Sequence, residues 1–483
     1  MPGTRATSAG LDLHLELSGS RRRVALEVTL REAVRSGRLL AGTTLPSSRA
    51  LAADLGIARN TVAEAYGQLV AEGWLAARHG SGTWVAERAG APSGQQRRVP
   101  GPAGRGARYD LRPGSPDLAA FPRAAWLAAA RRALAGAPAR DLGYADVRGL
   151  EVLRVAIAEY VARARGVVTT PERIVVCAGF AQGLELLCEV LRARGARSLA
   201  VEAYGLSAHR QIAAGAGMSL VPIAVDDRGA DVATLGMRDR AAGSRRPPRV
   251  GAVLLSPAHQ YPLGVALAPG RRREVADWAA RTGGVVIEDD YDGEFRYDRQ
   301  AVGALQSIAP EHVVYAGTAS KSLVPGLRLG WLALPGELAE DVVVRKEVAL
   351  RLSSSLDQLA LAEFISSGGY DRQVRRARLA YRQRRDRLVS ALAREVPEVQ
   401  VTGISAGLHV LVRLPAGLTE DDVISRAAAR GLALSGLASC RAGEQELGPA
   451  LVVGYATPPG HAFSAAVARL CAVLREAASA PGQ

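Results

Sequence analysis

The sequence is nearly without lysine. Of its 61 basic residues only Lys321 and Lys346 are lysines, and all the others are arginines. Arginine stays protonated and cannot act as an amine nucleophile, whereas a lysine can lose its proton and form a Schiff base with an aldehyde. Lys321 lies within the stretch GTASKSLVPGLRLGW. The choice of lysine there suggests covalent chemistry, which the rest of the chain has to support.

Cysteine and long apolar runs are scarce as well. The four cysteines contain no CxxC pair, which argues against a disulfide framework or a zinc site and predicts small buried thiols. No apolar run approaches the ~20 residues that span a bilayer. The first residues do not have the pattern of a signal peptide. We therefore expect a cytoplasmic protein with no membrane partner and no bound metal.

Positive charge is concentrated near the N-terminus. The net charge is +14, and residues 1–108 contain 15 arginines against 8 acidic residues, which is half of the excess. A small basic domain attached to a larger body suggests a nucleic-acid binder. Charge alone leaves open the alternative that arginine usage reflects genomic base composition. The length of 483 residues predicts two to four domains.

Residues 45–86 have the pattern of two helices followed by a hairpin. Ser47 or Ser48 can cap the first helix. Thr61 and Glu64 predict a capping box for the second helix. The apolar positions of that helix fall at i, i+3, i+4 and i+7, and they are Val62, Ala65, Tyr66 and Leu69. Helix, turn, helix and wing is an order that presents the second helix to the major groove of DNA.

This segment resembles the winged helix-turn-helix of the GntR family of bacterial regulators. The resemblance implies double-stranded operator DNA as a partner. The DNA-contacting residues that it implies are Arg49, Arg59, Asn60, Thr61, His79 and Gly80. The alternative for Thr61 is a role as helix cap alone, and Ala63 stands where some relatives have a further basic residue. We predict a DNA-binding domain over 1–86 and a flexible Gly/Pro/Arg-rich linker over 87–108.

The remaining residues, 109–483, predict an α/β domain. Short β-branched runs alternate with helical stretches, and the candidate strands are RIVVCAG, SLAVEAY, RVGAVLLSP, GGVVIEDDY and HVVYAGT. Such alternation indicates a largely parallel sheet, which binds ligands at the carboxyl ends of its strands. After the first of these strands a helix opens, and the free amides of Gly179, Phe180 and Ala181 could hold a phosphate there.

Two further strand ends carry candidate functional residues. Asp289 and Tyr291 stand at the end of the fourth candidate strand, just beyond its hydrophobic residues. A carboxylate there fits a protonated ring nitrogen better than a metal, because no histidine or cysteine is near it in sequence. The pair Ser320-Lys321 follows the fifth strand, with Arg328 seven residues after the lysine. A P-loop is rejected, because Ser320 stands where that motif requires glycine.

Together these features resemble the fold-type I aminotransferases, which bind pyridoxal 5'-phosphate (PLP). The resemblance implies a large, mostly parallel sheet subdomain and a smaller α+β C-terminal subdomain. It makes Lys321 the Schiff-base residue, Asp289 the partner of the pyridine nitrogen and Tyr291 the partner of the ring oxygen. It also implies that Ser320 and Arg328 bind the phosphate, that Tyr204 stacks on the ring, and that Tyr144 reaches the phosphate of the neighbouring subunit.

A GntR-type domain joined to an aminotransferase-like domain resembles the MocR subfamily of transcription regulators. That resemblance covers nearly the whole chain and implies a head-to-tail homodimer. It further implies a regulator that senses PLP, or an amine or amino acid, through an aldimine at Lys321 and controls vitamin B6 or amino-acid metabolism. The alternative is a working PLP-dependent aminotransferase with an appended DNA-binding domain.

Two departures from active aminotransferases favour the regulator. Tyr261-Pro262 stands where many of those enzymes have Asn-Pro, whose asparagine contacts the ring oxygen. No arginine can be placed for a substrate carboxylate, although Arg413 and Arg441 are candidates. PLP itself is therefore the preferred effector.

Overall fold

The structure is a computed structural model of the chain. It describes residues 6–8, 11–13, 22–35, 38–78, 82–86, 107–144, 146–235, 250–297, 302–349 and 353–479. The chain divides into two compact units, Met1–Gly101 and Pro102–Gln483. The wing-tip residues His79 and Gly80 lie outside the described residues, as does most of the predicted linker.

Among its described residues, the N-terminal unit has three helices and two small sheets. Its helices are α1 (Arg22–Arg35), α2 (Ser48–Leu55) and α3 (Arg59–Ala71). Its strands are β1 (Ala6–Ser8), β2 (Leu11–Leu13), β3 (Thr44–Leu45), β4 (Leu75–Arg78) and β5 (Gly82–Val85). Strands β1 and β2 pair with each other, and the three-stranded sheet has the order β3-β5-β4. The helix-helix-hairpin order expected from the sequence is confirmed.

Local signals in the sequence explain the boundaries of α2 but not the start of α3. The Ser47 hydroxyl accepts a hydrogen bond from the amide of Ala50, and Gly56 ends α2 in the left-handed conformation with a φ of 63°. The expected capping box at Thr61 is wrong: Thr61 lies inside α3, whose N-cap is Ala58 without a side-chain hydrogen bond. The expected apolar stripe of α3 is buried at all four positions.

The C-terminal unit contains fifteen described strands and ten described helices. The strands are β6 (Tyr109–Asp110), β7 (Ile174–Cys177), β8 (Ser198–Glu202), β9 (Ser219–Ile223), β10 (Val225–Asp226), β11 (Gly229–Ala230), β12 (Val250–Leu255), β13 (Val285–Asp289), β14 (Val313–Thr318), β15 (Gly330–Ala333), β16 (Gln400–Thr402), β17 (His409–Arg413), β18 (Leu432–Ala433), β19 (Ser435–Gly436) and β20 (Ala450–Gly454). The helices are α4 (Arg123–Gly136), α5 (Glu151–Arg165), α6 (Phe180–Ala193), α7 (Ser207–Gly215), α8 (Pro269–Thr282), α9 (Gly336–Val348), α10 (Ser355–Ser366), α11 (Gly369–Glu395), α12 (Glu420–Ala429) and α13 (Phe463–Ser479).

A seven-stranded sheet forms the larger subdomain, with the order β7-β15-β14-β13-β12-β8-β9. Neighbouring strands are parallel except at β15, which runs antiparallel to both β14 and β7. All five candidate strands from the sequence are present, and the largely parallel sheet is confirmed. Alternate residues face opposite sides: Val175 and Cys177 pack with α6, whereas Ile174 and Val176 pack with α5.

The smaller subdomain is built on an antiparallel sheet with the order β16-β17-β20-β19. Its apolar core joins this sheet to helices α11, α12 and α13, through buried residues such as Leu392, Val423 and Leu470. The short parallel pair of β18 with β6 ties the start of the unit to this subdomain. The α+β character of this subdomain agrees with expectation.

The small buried thiols expected from the sequence are present. All four cysteines, Cys177, Cys188, Cys440 and Cys471, are buried and free. Within the described ranges, no helix is both long and apolar enough to cross a membrane. Nor do those ranges contain a group of three or more histidine, cysteine or acidic side chains arranged to hold a metal ion.

Candidate functional site

A cavity of about 260 Å³ lies where several strands of the large sheet end. It is bordered by residues that follow β7, β8, β13 and β14, because the carboxyl ends of parallel strands meet at one edge of the sheet. Eight of the ten predicted cofactor residues line it: Gly179, Phe180, Ala181, Asp289, Tyr291, Ser320, Lys321 and Arg328. Tyr204 and Tyr144 do not.

The first turn of α6 forms one wall of the cavity. Gly179 is the N-cap residue, with a φ of 85° and no side-chain hydrogen bond to the helix. The amides of Phe180 and Ala181 have no helical carbonyl to bond, because they belong to the first turn. The expectation of a free amide at Gly179 is wrong, since its N–H donates to the carbonyl of Cys177 at 2.8 Å. Two of the three expected donors therefore face an anion position at a helix N-terminus.

Arg328 and Ser320 complete this wall. A Cβ atom at Gly179 would lie 3.4 Å from a terminal nitrogen of Arg328, so the guanidinium packs directly beside the helix N-terminus. Arg328 adopts the left-handed conformation with a φ of 51°. The Thr318 hydroxyl donates to Oγ of Ser320 at 2.9 Å, which leaves the Ser320 proton available for a ligand. A cation, a hydroxyl and helix amides together suit a phosphate group.

Lys321 lies three residues after the end of β14 and lines the cavity. Its Nζ donates a hydrogen bond to the carbonyl of Gly114, a residue near the start of the unit. Burial lowers the pKa of the Lys321 amine, while Asp289 and Asp292 act in the opposite direction. A lowered amine pKa increases the fraction of the nucleophilic neutral form.

Asp289 ends β13 and faces Lys321. Burial raises the pKa of its carboxyl to about 8, and the positive charge of Lys321 only partly offsets that effect. His209, on α7, approaches Asp289 at 3.9 Å between Nδ1 and Oδ2. Burial lowers the pKa of His209 to about 4, so this contact joins a neutral imidazole to the carboxyl and is not an ion pair at neutral pH. A buried carboxyl without a strong counter-ion is suited to pair with a protonated ring nitrogen.

The neighbouring Asp290 has a different environment, because successive side chains of an extended segment point in opposite directions. Its two carboxylate oxygens lie 2.6 and 3.1 Å from Nε and Nη2 of Arg165 on α5. The Tyr315 hydroxyl donates to it at 2.9 Å. Asp290 is therefore part of a buried ion pair behind the sheet edge and not part of the cavity.

Tyr204 and Tyr144 lie away from the cavity in the isolated chain. The Tyr204 side chain is 2% exposed, and its hydroxyl donates to the carbonyl of Gln445 at 2.9 Å. Leu206, two residues further on, lines the cavity in its place. This geometry does not support stacking of Tyr204 on a ring. Tyr144 is 98% exposed, and its contact with a neighbouring subunit stays a prediction.

In the N-terminal unit, the described DNA-contact candidates lie on α2 and at the start of α3. Arg49, Arg59 and Asn60 are exposed, and Thr61 is half-buried. Arg59 and Asn60 open the first turn of α3, the helix expected to enter the major groove. Their roles, and those of His79 and Gly80, stay predictions.

Comparison with known proteins assigns a family to each unit. Residues 23–85 match the family of bacterial regulatory proteins named after GntR, and residues 112–442 match the aminotransferase class I and II family. The pyridoxine biosynthesis transcriptional regulator PdxR of Corynebacterium glutamicum is 32% identical over 415 residues, which cover 84% of this chain and 86% of PdxR. The chain belongs to the MocR subfamily of GntR-type transcription regulators.

Two further comparisons agree with the MocR assignment. The probable rhizopine catabolism regulatory protein MocR of Rhizobium meliloti is 33% identical, with 83% of each chain covered. Among solved structures, the α-aminoadipate aminotransferase LysN of Thermus thermophilus matches with a TM-score of 0.68 and 26% identity. The match covers 78% of this chain and 94% of LysN. That structure contains N-(5'-phosphopyridoxyl)-L-leucine.

Two described arginines line the cavity of this MocR-type chain, Arg210 and Arg328. Arg413 donates to a main-chain carbonyl and Arg441 pairs with Glu446, and neither lines the cavity. Arg210 does line it, but its guanidinium donates to three main-chain carbonyls at 2.8–3.1 Å. Arg328, beside the helix N-terminus, is the other arginine of the lining.

Sequence reasoning missed His209 and His409, two histidines that line the cavity of this MocR-type chain. His409 begins β17 of the small subdomain, more than a hundred residues from Asp289 in sequence. His209 lies in the first turn of the helix that follows β8. His209 could have been predicted from the sequence. Because β8 was a predicted strand, the start of the helix that follows it had to lie at the edge of the cavity.

Proposed function

We propose that this MocR-type regulator binds PLP covalently through Lys321, and that PLP is the effector that alters its binding to operator DNA. The observation that carries the proposal is the position of Lys321. One of only two lysines in the chain lies in the cavity, and burial lowers the pKa of its amine. PLP supplies an aldehyde for that amine and a ring that withdraws electrons.

Each group of PLP has a suitable partner among the residues of the cavity. The phosphate is held by the first-turn amides of α6 with Ser320 and Arg328. Asp289 accepts a hydrogen bond from the protonated ring nitrogen, and the half-buried Tyr291 hydroxyl donates one to the ring oxygen. Burial raises the pKa of Tyr291 well above its ordinary value, so the phenol remains a donor at physiological pH.

PLP as effector is favoured over an amino acid by the arginines of the cavity. Arg210 is bound to main-chain carbonyls, and Arg328 is beside the phosphate position. An amino acid would bury its carboxylate without a bidentate partner, which is costly in a low-dielectric site. The same observation disfavours the alternative of a working aminotransferase. The name of the PdxR relative, a regulator of pyridoxine biosynthesis, points to the same ligand.

Regulation requires that PLP binding changes how two DNA-binding units meet DNA. We propose a cytoplasmic head-to-tail homodimer, in which the exposed Tyr144 reaches the phosphate of the neighbouring subunit. Exposed apolar residues on one side of the large sheet support an interface there. They are Leu127 and Leu134 of α4, Val152 of α5 and Leu356 of α10. PLP binding would change the spacing of the two winged helices. A coupling free energy of ~1–3 kcal/mol between PLP binding and DNA binding is enough for a usable switch.

The test uses DNA selected from a randomised pool by the purified full chain, because such DNA reports the protein's own preference. Affinity and footprint on this DNA are measured without ligand, with PLP, and with pyridoxine 5'-phosphate, which has the same phosphate and ring but no aldehyde. The Lys321→Ala variant is the matched protein control, and borohydride reduction followed by mass spectrometry detects the covalent adduct.

We expect PLP, but not pyridoxine 5'-phosphate, to change the affinity or the footprint of the wild type, and neither ligand to change those of Lys321→Ala. A reduced adduct on Lys321 that leaves DNA binding unchanged would overturn the sensing role but not the cofactor site. A response that appears only after an amino acid is added to the PLP-loaded protein would identify that amino acid as the effector. Rapid multiple-turnover transamination would instead establish the enzyme.

A further inference from the structure

The buried His259 and Asp292 and the half-buried Tyr291 form a hydrogen-bonded cluster beside the cavity, and the cofactor site as described does not use the first two. Nδ1 of His259 lies 2.8 Å from Oδ2 of Asp292 and 3.3 Å from the hydroxyl oxygen of Tyr291. The His259 and Asp292 side chains are each 1% exposed. Tyr291 alone of the three lines the cavity.

One assignment of the protons satisfies these contacts. An ionised carboxylate can only accept a hydrogen bond, so the short contact with Asp292 requires that Nδ1 of His259 carries a proton. That nitrogen then has no lone pair for the Tyr291 hydroxyl. In this assignment the Tyr291 oxygen accepts a second, longer branch of the same N–H, and its own proton can turn either to the Asp292 carboxylate or to a partner in the cavity.

The imidazole of His259 is held in one orientation from two sides. Gly407 has a φ of 75°, and a Cβ atom there would lie 2.1 Å from Cε1 of His259 and 2.7 Å from the carboxylate of Asp292. His409 packs against it with 5.2 Å between ring centroids. Nε2 of His409 lies 3.1 Å from the carbonyl of Pro262, which fixes the second ring in turn.

The cluster adjoins the position where this chain departs from active aminotransferases. Tyr261 stands in place of the asparagine that contacts the ring oxygen in many of them. The Tyr261 hydroxyl lies 4.0 Å from Sγ of Cys440, and its ring meets that of Tyr291 edge-on with 6.4 Å between centroids. Tyr261 and Tyr291 both line the cavity, and only Tyr291 is in contact with His259 through a hydrogen bond.

From this geometry we propose that His259 and Asp292 are positioning residues that aim the Tyr291 proton at the ring oxygen of bound PLP. The inference rests on the proposed function. An N–H held against the Tyr291 oxygen makes its O–H a stronger donor, because hydrogen bonds in a chain polarise one another. Two buried side chains thereby replace the missing asparagine without touching the cofactor.

The readout is the pH at which the imine nitrogen of the Lys321–PLP conjugate loses its proton, followed by absorption. A donor to the ring oxygen withdraws negative charge from it and so weakens its hold on the imine proton. Loss of that donor raises the imine pKa. We expect His259→Phe to raise it by about one unit, which corresponds to roughly one hydrogen bond to a charged group. His259→Asn, whose side-chain amide can replace Nδ1–H, should restore much of the wild-type value.

A double-mutant cycle separates this role from a general effect on the fold. Tyr291→Phe removes the donor itself, so we expect it to raise the imine pKa at least as much as His259→Phe. The double variant should then match Tyr291→Phe alone. Additive shifts, or an imine pKa that His259→Phe leaves unchanged, would overturn the inference. Asp292→Asn provides a second test if His259→Phe does not fold.

The outcomes distinguish this inference from the proposed function. The borohydride-reduced adduct on Lys321 is first measured in the wild type. If it forms and the variants retain the wild-type imine pKa, only the positioning role fails. If the wild type forms no adduct, the proposed function fails, and this inference fails with it.

Discussion

Asp289 and Asp290 are adjacent, yet removing the charge of each should change the stability of the protein in opposite directions. The side chain of Asp290 is 1% exposed and that of its partner Arg165 is 6% exposed. The change Asp290→Asn keeps the shape of the side chain but leaves a buried guanidinium without its counter-ion. Breaking a buried pair in this way costs ~3–5 kcal/mol.

This cost converts to a measurable change in thermal stability. Unfolding entropy is roughly 2.1 cal/mol/K per residue, or about 0.8 kcal/mol/K for a unit of this size. Asp290→Asn should therefore lower the melting temperature of the PLP-free C-terminal unit by about 4–6 °C. The assay is thermal denaturation followed by circular dichroism, with all proteins at the same concentration.

Asp289→Asn is the matched control, with a different expectation. Because the Asp289 pKa is raised from 3.8 to about 8, the folded protein binds this proton more tightly than the unfolded chain does. The presence of Asp289 therefore lowers stability as the pH rises from about 4 to about 8. Asp289→Asn should therefore melt slightly above the wild type at pH 5 and further above it at pH 8.5. Its affinity for PLP should fall by roughly 10–100-fold, the loss of one charge-assisted hydrogen bond.

The pair of variants gives a clear refutation. If Asp290→Asn melts within a degree of the wild type, Arg165 does not depend on Asp290 for its charge balance. If Asp289→Asn loses as much stability as Asp290→Asn at pH 5, the two carboxylates do not occupy the separate environments argued above. The second result would also undermine the assignment of Asp289 as the partner of the ring nitrogen.

Further predictions concern the N-terminal unit and the second lysine. Arg59→Ala should weaken DNA binding, measured by fluorescence anisotropy. If it removes one phosphate contact, the slope of log affinity against log salt should fall by about 0.9. An unchanged affinity and slope would exclude contact of Arg59 with DNA. Ser47→Ala should destabilise the N-terminal unit by ~1 kcal/mol in urea denaturation, whereas Ser48→Ala should not, because Ser47 supplies the cap. Lys346→Met should lower the melting temperature of the C-terminal unit, since two buried carbonyls lose their donor at ~1–3 kcal/mol each; an unchanged melting temperature would contradict this.

The sequence predicted those features that depend on local pattern. The stripe of α3 and the five β-branched runs appear where expected, because apolar periodicity follows directly from which face of an element is buried. The cavity residues Asp289 and Lys321 were predictable for a related reason. They directly follow predicted strands, and parallel strands bring their carboxyl ends to one edge.

The errors arise where distant parts of the chain determine the local structure. Tyr204 follows β8 as a ring-stacking residue would, but the small subdomain holds it through the carbonyl of Gln445 and a backbone bridge with Arg441. Strand β15 was not predicted. It has only four residues, and its place in the sheet depends on antiparallel pairing with both of its neighbours, β14 and β7. His409 enters the cavity from a separate sheet, a placement that no local pattern encodes.

The positions of the two lysines explain why a chain that otherwise uses arginine has lysine at these two sites. Lys346 is 1% exposed, and its ammonium donates to the carbonyls of Val147 and Val176, the latter in β7, the strand that leads to the helix N-terminus at the cavity. A compact ammonium suits two converging carbonyl acceptors, whereas a guanidinium would bring five N–H donors in a planar fork. Lys321 needs an amine that can lose its proton, which arginine cannot supply. Burial lowers the pKa of both amines, but Lys346 is fully committed to carbonyls. The two positions thus require lysine for different reasons, one for its size and the other for its chemistry.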